Sequence, residues 1–275
     1  MKRLLLLAPV LFLIAACGKG EYTENEPNVV GQEISYSTDE LTMNGYIAQD
    51  ENKFEKRPGI LVVHEWWGHD DHARNSAEKL AELGYVALAV DMYGEGKQAS
   101  HPDDAMKFSN NVMSNFDSAK ARFNAALQTL KAQDNVDSTK IGAIGYCFGG
   151  SVILAMANSG MELDGVAAFH AGLQLPVMPQ EGLSSRVLIL NGADDPFVTE
   201  EQVSNLTGAY ENLNADYQYI SYDGAVHAYT NPGADTLGQK FELPLAYNAE
   251  ADSLSWEEMK SFFEETFATA SEAGM

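Results

Sequence analysis

The stretch IGAIGYCFGG, residues 141–150, decides how the rest of the chain is read. It opens as an apolar strand, runs into Gly145-Tyr146-Cys147-Phe148-Gly149, and passes at once into an apolar helix. A turn that sharp leaves no space for a Cβ at Gly145 or Gly149, which would collide with the neighbouring strand or helix. The turn lifts the Cys147 sulfur above the sheet and sets it beside a helix N-terminus, where partial positive charge favours thiolate. This is the G-x-S-x-G nucleophile elbow with cysteine at its centre. The Phe148 amide then points to where a substrate oxyanion would form. The competing reading is a tight strand-to-helix turn around a small buried thiol.

Working outward, apolar runs predict strands over 59–65, 85–91, 140–145, 164–169 and 186–191, with a further strand at 217–222. Continuous runs of this kind suit parallel strands covered on both faces. Two earlier strands, 33–37 and 43–48, flank the polar Thr38-Asp39-Glu40 and read as an antiparallel hairpin at the sheet edge. Amphipathic helices are predicted over 72–83 (stopped by Gly84), 102–113, 116–133, 149–159, 200–213 and 255–270. The Met- and Phe-rich helix 102–113 reads as core packing, with part of a pocket cover as the alternative. The order β-α-β-α predicts an α/β fold with a doubly wound, mostly parallel sheet. Residues 33–272 form one domain, without internal repeats, low-complexity segments or a second-domain linker.

The N-terminus carries a different signal. Lys2 and Arg3 precede an apolar run from Leu4 to Ala16, too short to span a membrane, where about 20 residues are needed. Residues 1–16 therefore read as a secretory signal. The ending Leu13-Ile14-Ala15-Ala16-Cys17 resembles the lipobox of bacterial lipoproteins. That resemblance implies cleavage before Cys17, lipid on its sulfur and amine, and export to the cell envelope (the outer membrane, periplasmic side, in a Gram-negative host). Two or more acyl chains suffice for stable anchoring. The alternative is a plain signal peptide cut elsewhere. Polar residues 17–32 read as the tether. If Cys17 is lipidated, Cys147 is the only other cysteine of the 275-residue chain and has no disulfide partner. A formal net charge of −23 excludes a basic nucleic-acid-binding face.

The elbow resembles that of the α/β-hydrolases, whose chain order is nucleophile, acid, histidine. The acid should follow a later strand, and Asp194-Asp195-Pro196-Phe197-Val198 follows the run 186–191. The two aspartates compete for the role, and both also suit a turn. The base should follow the last strand; of six histidines only His227, in Asp223-Gly224-Ala225-Val226-His227, lies beyond both. In such a triad Asp orients the imidazole, the imidazole moves the proton, and sulfur carries the acyl group. The stretch His64-Glu65-Trp66-Trp67-Gly68-His69 invites a metal reading, but H-E-x-x-H fails at Gly68 and the segment ends a strand, so no metal is expected. No cofactor is needed either.

The motifs HEWWG, DMYGEG, GYCFGG, GADDPFV and VHAYTNP, in this order, resemble the dienelactone hydrolase family over roughly residues 33–270. The resemblance implies a Cys-His-Asp esterase acting on a small-molecule ester or lactone. Cys147 is then the nucleophile, Asp195 the acid and His227 the base. Glu65 matches a carboxylate that interacts with the resting thiol, and the Trp66 and Phe148 amides match the oxyanion hole. Tyr93, Glu95 and Asn231 fall at substrate-binding positions. Two arginines that clamp the carboxylate of dienelactone are replaced, at Glu95 and Asn231. An acid there repels an anion, and Lys97 is a point charge rather than a fork. The machinery therefore carries over and dienelactone specificity does not. The other readings are an idle hydrolase fold serving as an envelope binding or scaffold protein, and acyl transfer or thioesterase chemistry on the same site. Nothing in the sequence sets the oligomeric state.

Overall fold

A computed structural model describes residues 26–273. Eight strands form one sheet: β1 (Val29–Ser37), β2 (Thr42–Asp50), β3 (Arg57–Val63), β4 (Val86–Val90), β5 (Val136–Tyr146), β6 (Gly165–Phe169), β7 (Arg186–Gly192) and β8 (Tyr217–Tyr222). Their order across the sheet is β1-β2-β4-β3-β5-β6-β7-β8. The β1–β2 hairpin and the β2–β4 pairing are antiparallel; every later pairing is parallel.

Alternation along the strands fixes which helix covers which face. On β3, Leu61 and Val63 pack with α3 (Phe116–Lys131) and α4 (Phe148–Asn158), whereas Ile60 and Val62 pack with α1 (Asp71–Glu82) and α7 (Ala249–Ala273). Strands β4 and β6 are buried at every position, as a strand between two helical layers must be. Helix starts are chemically marked. The Asp70 carboxylate accepts from the His72 and Ala73 amides, and Thr199 with Gln202 forms a capping box at α5 (Glu200–Asn212). The remaining helices are α2 (Pro102–Ser114) and α6 (Ala234–Phe241). The chain is thus a single α/β domain with the expected doubly wound, mainly parallel sheet.

The starts of β1 and β5, and the presence of α6, differ from expectation. Strand β1 starts at Val29, inside the stretch read as tether. Its pairing with β2 is a backbone matter, and Gly31 leaves room for the Tyr46 ring to lie across it. Strand β5 starts at Val136, because the polar VDSTK segment pairs with Arg57 and Pro58 before a register shift at Gly59. Helix α6 was not foreseen. It is short, and no side chain caps its start. The signal and lipobox residues lie outside the described ones.

The elbow joins β5 to α4 with almost no clearance. A Cβ on Gly145 would sit 2.3 Å from the Gly149 carbonyl oxygen, and one on Gly149 would sit 2.2 Å from that of Val63. Cys147 between them takes φ 52°, a left-handed conformation that costs a non-glycine residue on the order of 1–3 kcal/mol. Gly149→Ala is expected to lose at least about 3 kcal/mol of stability or fail to fold. Gly208→Ala, in α5 with nothing within 4 Å of the new Cβ, should gain about 0.5–1 kcal/mol. Urea unfolding midpoints of the two variants check both signs.

Candidate active site

The candidate residues come from the C-terminal ends of the strands, where an open parallel sheet gathers its loops. Cys147 follows β5, and its amide donates to the Phe169 carbonyl at 3.0 Å, tying the elbow to β6. Asp195 follows β7 and His227 follows β8. His227 Nδ1 lies 2.7 Å from Asp195 Oδ2, and both side chains are buried. The second carboxylate oxygen of Asp195 accepts from the Phe197 amide, which fixes its rotation. Asp194 is exposed, and its amide is used by the Ala225 carbonyl; of the two aspartates, Asp195 is the one that reaches the imidazole.

His227 and Cys147 open onto one cavity of about 370 Å³. Burial works against a charge on His227, but the charge of Cys147 and hydrogen bonds with Asp195 and Cys147 outweigh it and raise its pKa to about 10. His170, at the end of β6, stands edge-on to His227 with ring centroids 5.4 Å apart, and is held by Thr230 Oγ1 at 2.8 Å. Burial pushes the His170 pKa well below its ordinary value, and His227 pushes it further the same way. His170 is therefore a neutral brace.

Glu65 and Trp66 lie beyond the end of β3, in the loop that faces the elbow. Burial, reinforced by Asp70, pushes the Glu65 carboxyl up to about 7; Asn231 and His227 pull the other way. Its close partners are Asn231, whose Nδ2 donates at 2.5 Å, and the His72 ring, 3.7 Å away. Among the described residues it makes no hydrogen bond to Cys147, so the thiol partner implied by the resemblance is not engaged here. Asn231, placed by the resemblance at a substrate clamp, is spent on Glu65 and on accepting from the Gly233 amide at 2.8 Å.

The Phe148 amide, first in α4, has no acceptor four residues back within the helix. The Trp66 amide takes part in no turn, loop or cap hydrogen bond among the described residues. The Trp66 carbonyl accepts from Tyr93 Oη at 2.9 Å, so buried Tyr93 braces the Trp66 loop and does not line the Cys147 cavity. Tyr93 is held in turn by Asp91. The Asp91 carboxylate accepts from the amides of Asn44, Tyr93, Gly94 and Gly96 at 2.8–3.0 Å, knitting the DMYGEG loop around itself. Glu95, at φ 57°, is turned outward and pairs with exposed Lys97 at 2.9 Å. Neither Glu95 nor Lys97 lines the Cys147 cavity, which corrects the substrate-binding position expected for Glu95.

Sequence reasoning missed Asp91 and His170, whose roles exist only through contacts across the fold. It also missed the segment after α6. There Leu245 bridges to His227 in strand fashion, the Ala246 amide donates to the His227 carbonyl at 3.3 Å, and Leu243 and Leu245 line the cavity.

Residues 43–267 match the model of the dienelactone hydrolase family. The chain is similar to protein usf of Aquifex pyrophilus, 30% identical over 207 residues covering 74% of this chain and 88% of that one. Among solved structures it resembles m3DLH, at 36% identity and TM-score 0.82, covering 86% of this chain and 98% of that one. It also resembles a dienelactone hydrolase-like promiscuous phosphotriesterase from metagenomic libraries, at 32% identity and TM-score 0.80 with the same coverage. With the sheet, the elbow and the cavity in place, these matches show that the chain belongs to the dienelactone hydrolase family of α/β-hydrolases.

Proposed function

We propose that the protein hydrolyses carboxylic esters or lactones through a thioester on Cys147, with His227 and Asp195 as base and acid. Family membership and fold support an ester or lactone hydrolase. The observation that carries the finer reading is the buried His227, paired with Asp195 on one side and sharing a cavity with Cys147 on the other.

The Cys147 thiolate attacks the carbonyl carbon, forming the C–S bond and a tetrahedral oxyanion. The free Phe148 and Trp66 amides supply its hydrogen bonds. Collapse breaks the C–O bond, and the proton on His227 goes to the departing alkoxide. Acylation then removes the thiolate charge, the strongest influence raising His227. The imidazole becomes a base able to take a proton from water. That water attacks the thioester, the C–S bond breaks, and acid and thiolate are released. Export and a lipid anchor on Cys17 are proposed on the lipobox alone, and mass spectrometry of the N-terminal peptide tests them.

Cys147→Ala should abolish turnover of p-nitrophenyl esters while leaving the unfolding midpoint close to wild type. His227→Ala and Asp195→Asn should each cost roughly 10³-fold or more in kcat, and Asp194→Asn should stay within about threefold. Stopped-flow release of p-nitrophenol, with mapping of the acyl adduct to Cys147, reads all four. A Cys147→Ala variant at wild-type rate would end this reading.

Glu65 gives a pH signature. Its folded pKa of about 7 lies above the ordinary 4.5, so the folded state binds the extra proton between those values. The contribution of Glu65 to stability therefore falls as pH rises through that window, by at most about 1.4 kcal/mol per pH unit. Glu65→Gln should gain stability relative to wild type from pH 5 to 7, read as the difference between their urea midpoints.

A further inference from the structure

Apart from His227, which is paired with Asp195, the cavity over Cys147 is walled by side chains that offer no counter-charge. Trp66 and Phe148 form one wall, Met106 and Met113 of α2 another, and Leu243 and Leu245 a third. The polar side chains that reach it besides the reacting groups, Ser109, Asn110 and Ser151, are uncharged. Among the described residues no Lys or Arg lines it; Lys97, Lys107 and Arg122 line a neighbouring cleft that shares Asn110 with it. Met106 and Phe197 are about half exposed, at 52% and 47%, and they belong to this cavity. Large apolar groups left open to water around a concavity mark where an apolar ligand lands.

We propose, on the hydrolase reading above, that the substrate is a neutral ester whose acyl chain is apolar and of medium length. A carboxylate on the acyl chain would lose its hydration among Trp, Met, Phe and Leu, with only the uncharged Ser109, Asn110 and Ser151 to replace it. A net charge of −23 opposes its approach as well. A neutral chain gains with each methylene it buries. The cavity of about 370 Å³ leaves room beside Cys147 for a chain of medium length, about six to eight carbons. The alcohol portion then lies at the open side, near Met106 and Phe197. Replacement of the family's arginines thus coincides with a cavity built for a different acyl group.

The test compares p-nitrophenyl acetate, heptanoate and dodecanoate with the anionic p-nitrophenyl hydrogen adipate, close in length to the heptanoate. The heptanoate should exceed the acetate in kcat/KM by at least about tenfold and the adipate by roughly 100-fold, with the dodecanoate falling back. Met106→Arg, at an exposed rim position, should narrow the heptanoate-to-adipate ratio by about tenfold. A second readout needs no turnover. Heptanamide should protect Cys147 from iodoacetamide at concentrations at least about 30-fold lower than the monoamide of adipic acid. Adipate turned over through Cys147 as well as heptanoate, with equal protection by the two amides, would overturn the proposal and leave the hydrolase reading intact. Selective protection by heptanamide without turnover of any ester would support the apolar site and defeat the hydrolase reading.

Discussion

The backbone of the elbow passes within contact distance of the end of β3, and the site is organised around that approach. Gly149 can come that close to the Val63 carbonyl only because it has no Cβ, and Gly145 meets the Gly149 backbone for the same reason. One steric fact has two results. It forces Cys147 into a left-handed conformation that points the thiol out of the sheet, and it brings the first turn of α4 against the loop that follows β3. Phe148 and Trp66, from remote parts of the chain, thereby line one cavity with Cys147. The sheet supports this junction from both sides, through α3 and α4 on one face and α1 and α7 on the other. Strain at a single residue is tolerated because so much packing surrounds it.

Around that junction, burial and pairing act in opposition, and the balance differs from group to group. His227 is buried, yet Cys147 and Asp195 hold it toward its charged form. His170, one ring away, is driven toward neutrality by burial and by His227 beside it. Glu65 is buried with an amide for its closest partner and is pushed up to about 7. Three titratable groups within one loop cluster are thus held in different protonation tendencies by their immediate neighbours. That separation of acid and base tendencies is what proton-transfer chemistry requires.

Much of this was legible in the sequence because the decisive signals are local. Continuous apolar runs marked the central strands, glycine spacing marked the elbow, and chain order singled out His227. Where the determinants are contacts between distant segments, the sequence was silent or misleading. VDSTK looks like a polar loop but extends β5, because its backbone pairs with Arg57 and Pro58. The short, uncapped α6 leaves no recognisable start. The resemblance places Glu95 and Tyr93 together at substrate-binding positions, but Glu95 has a positive φ and faces solvent while Tyr93 turns inward. Choosing between Asp194 and Asp195 required knowing which one the β7 turn buries.

The strand-like bridge between Leu245 and His227 has a consequence for how such a site can diversify. The same few residues hold the His227 backbone and line the cavity. A change of shape in that wall is transmitted to the imidazole, so variation there is penalised through rate before it is rewarded through selectivity. Met106 and Met113, which also line the cavity, belong to α2, a helix that carries none of Cys147, Asp195 and His227. Lineages descending from such an ancestor would be free to reshape the cavity by rewriting α2, while the segment around 243–245 stays nearly fixed.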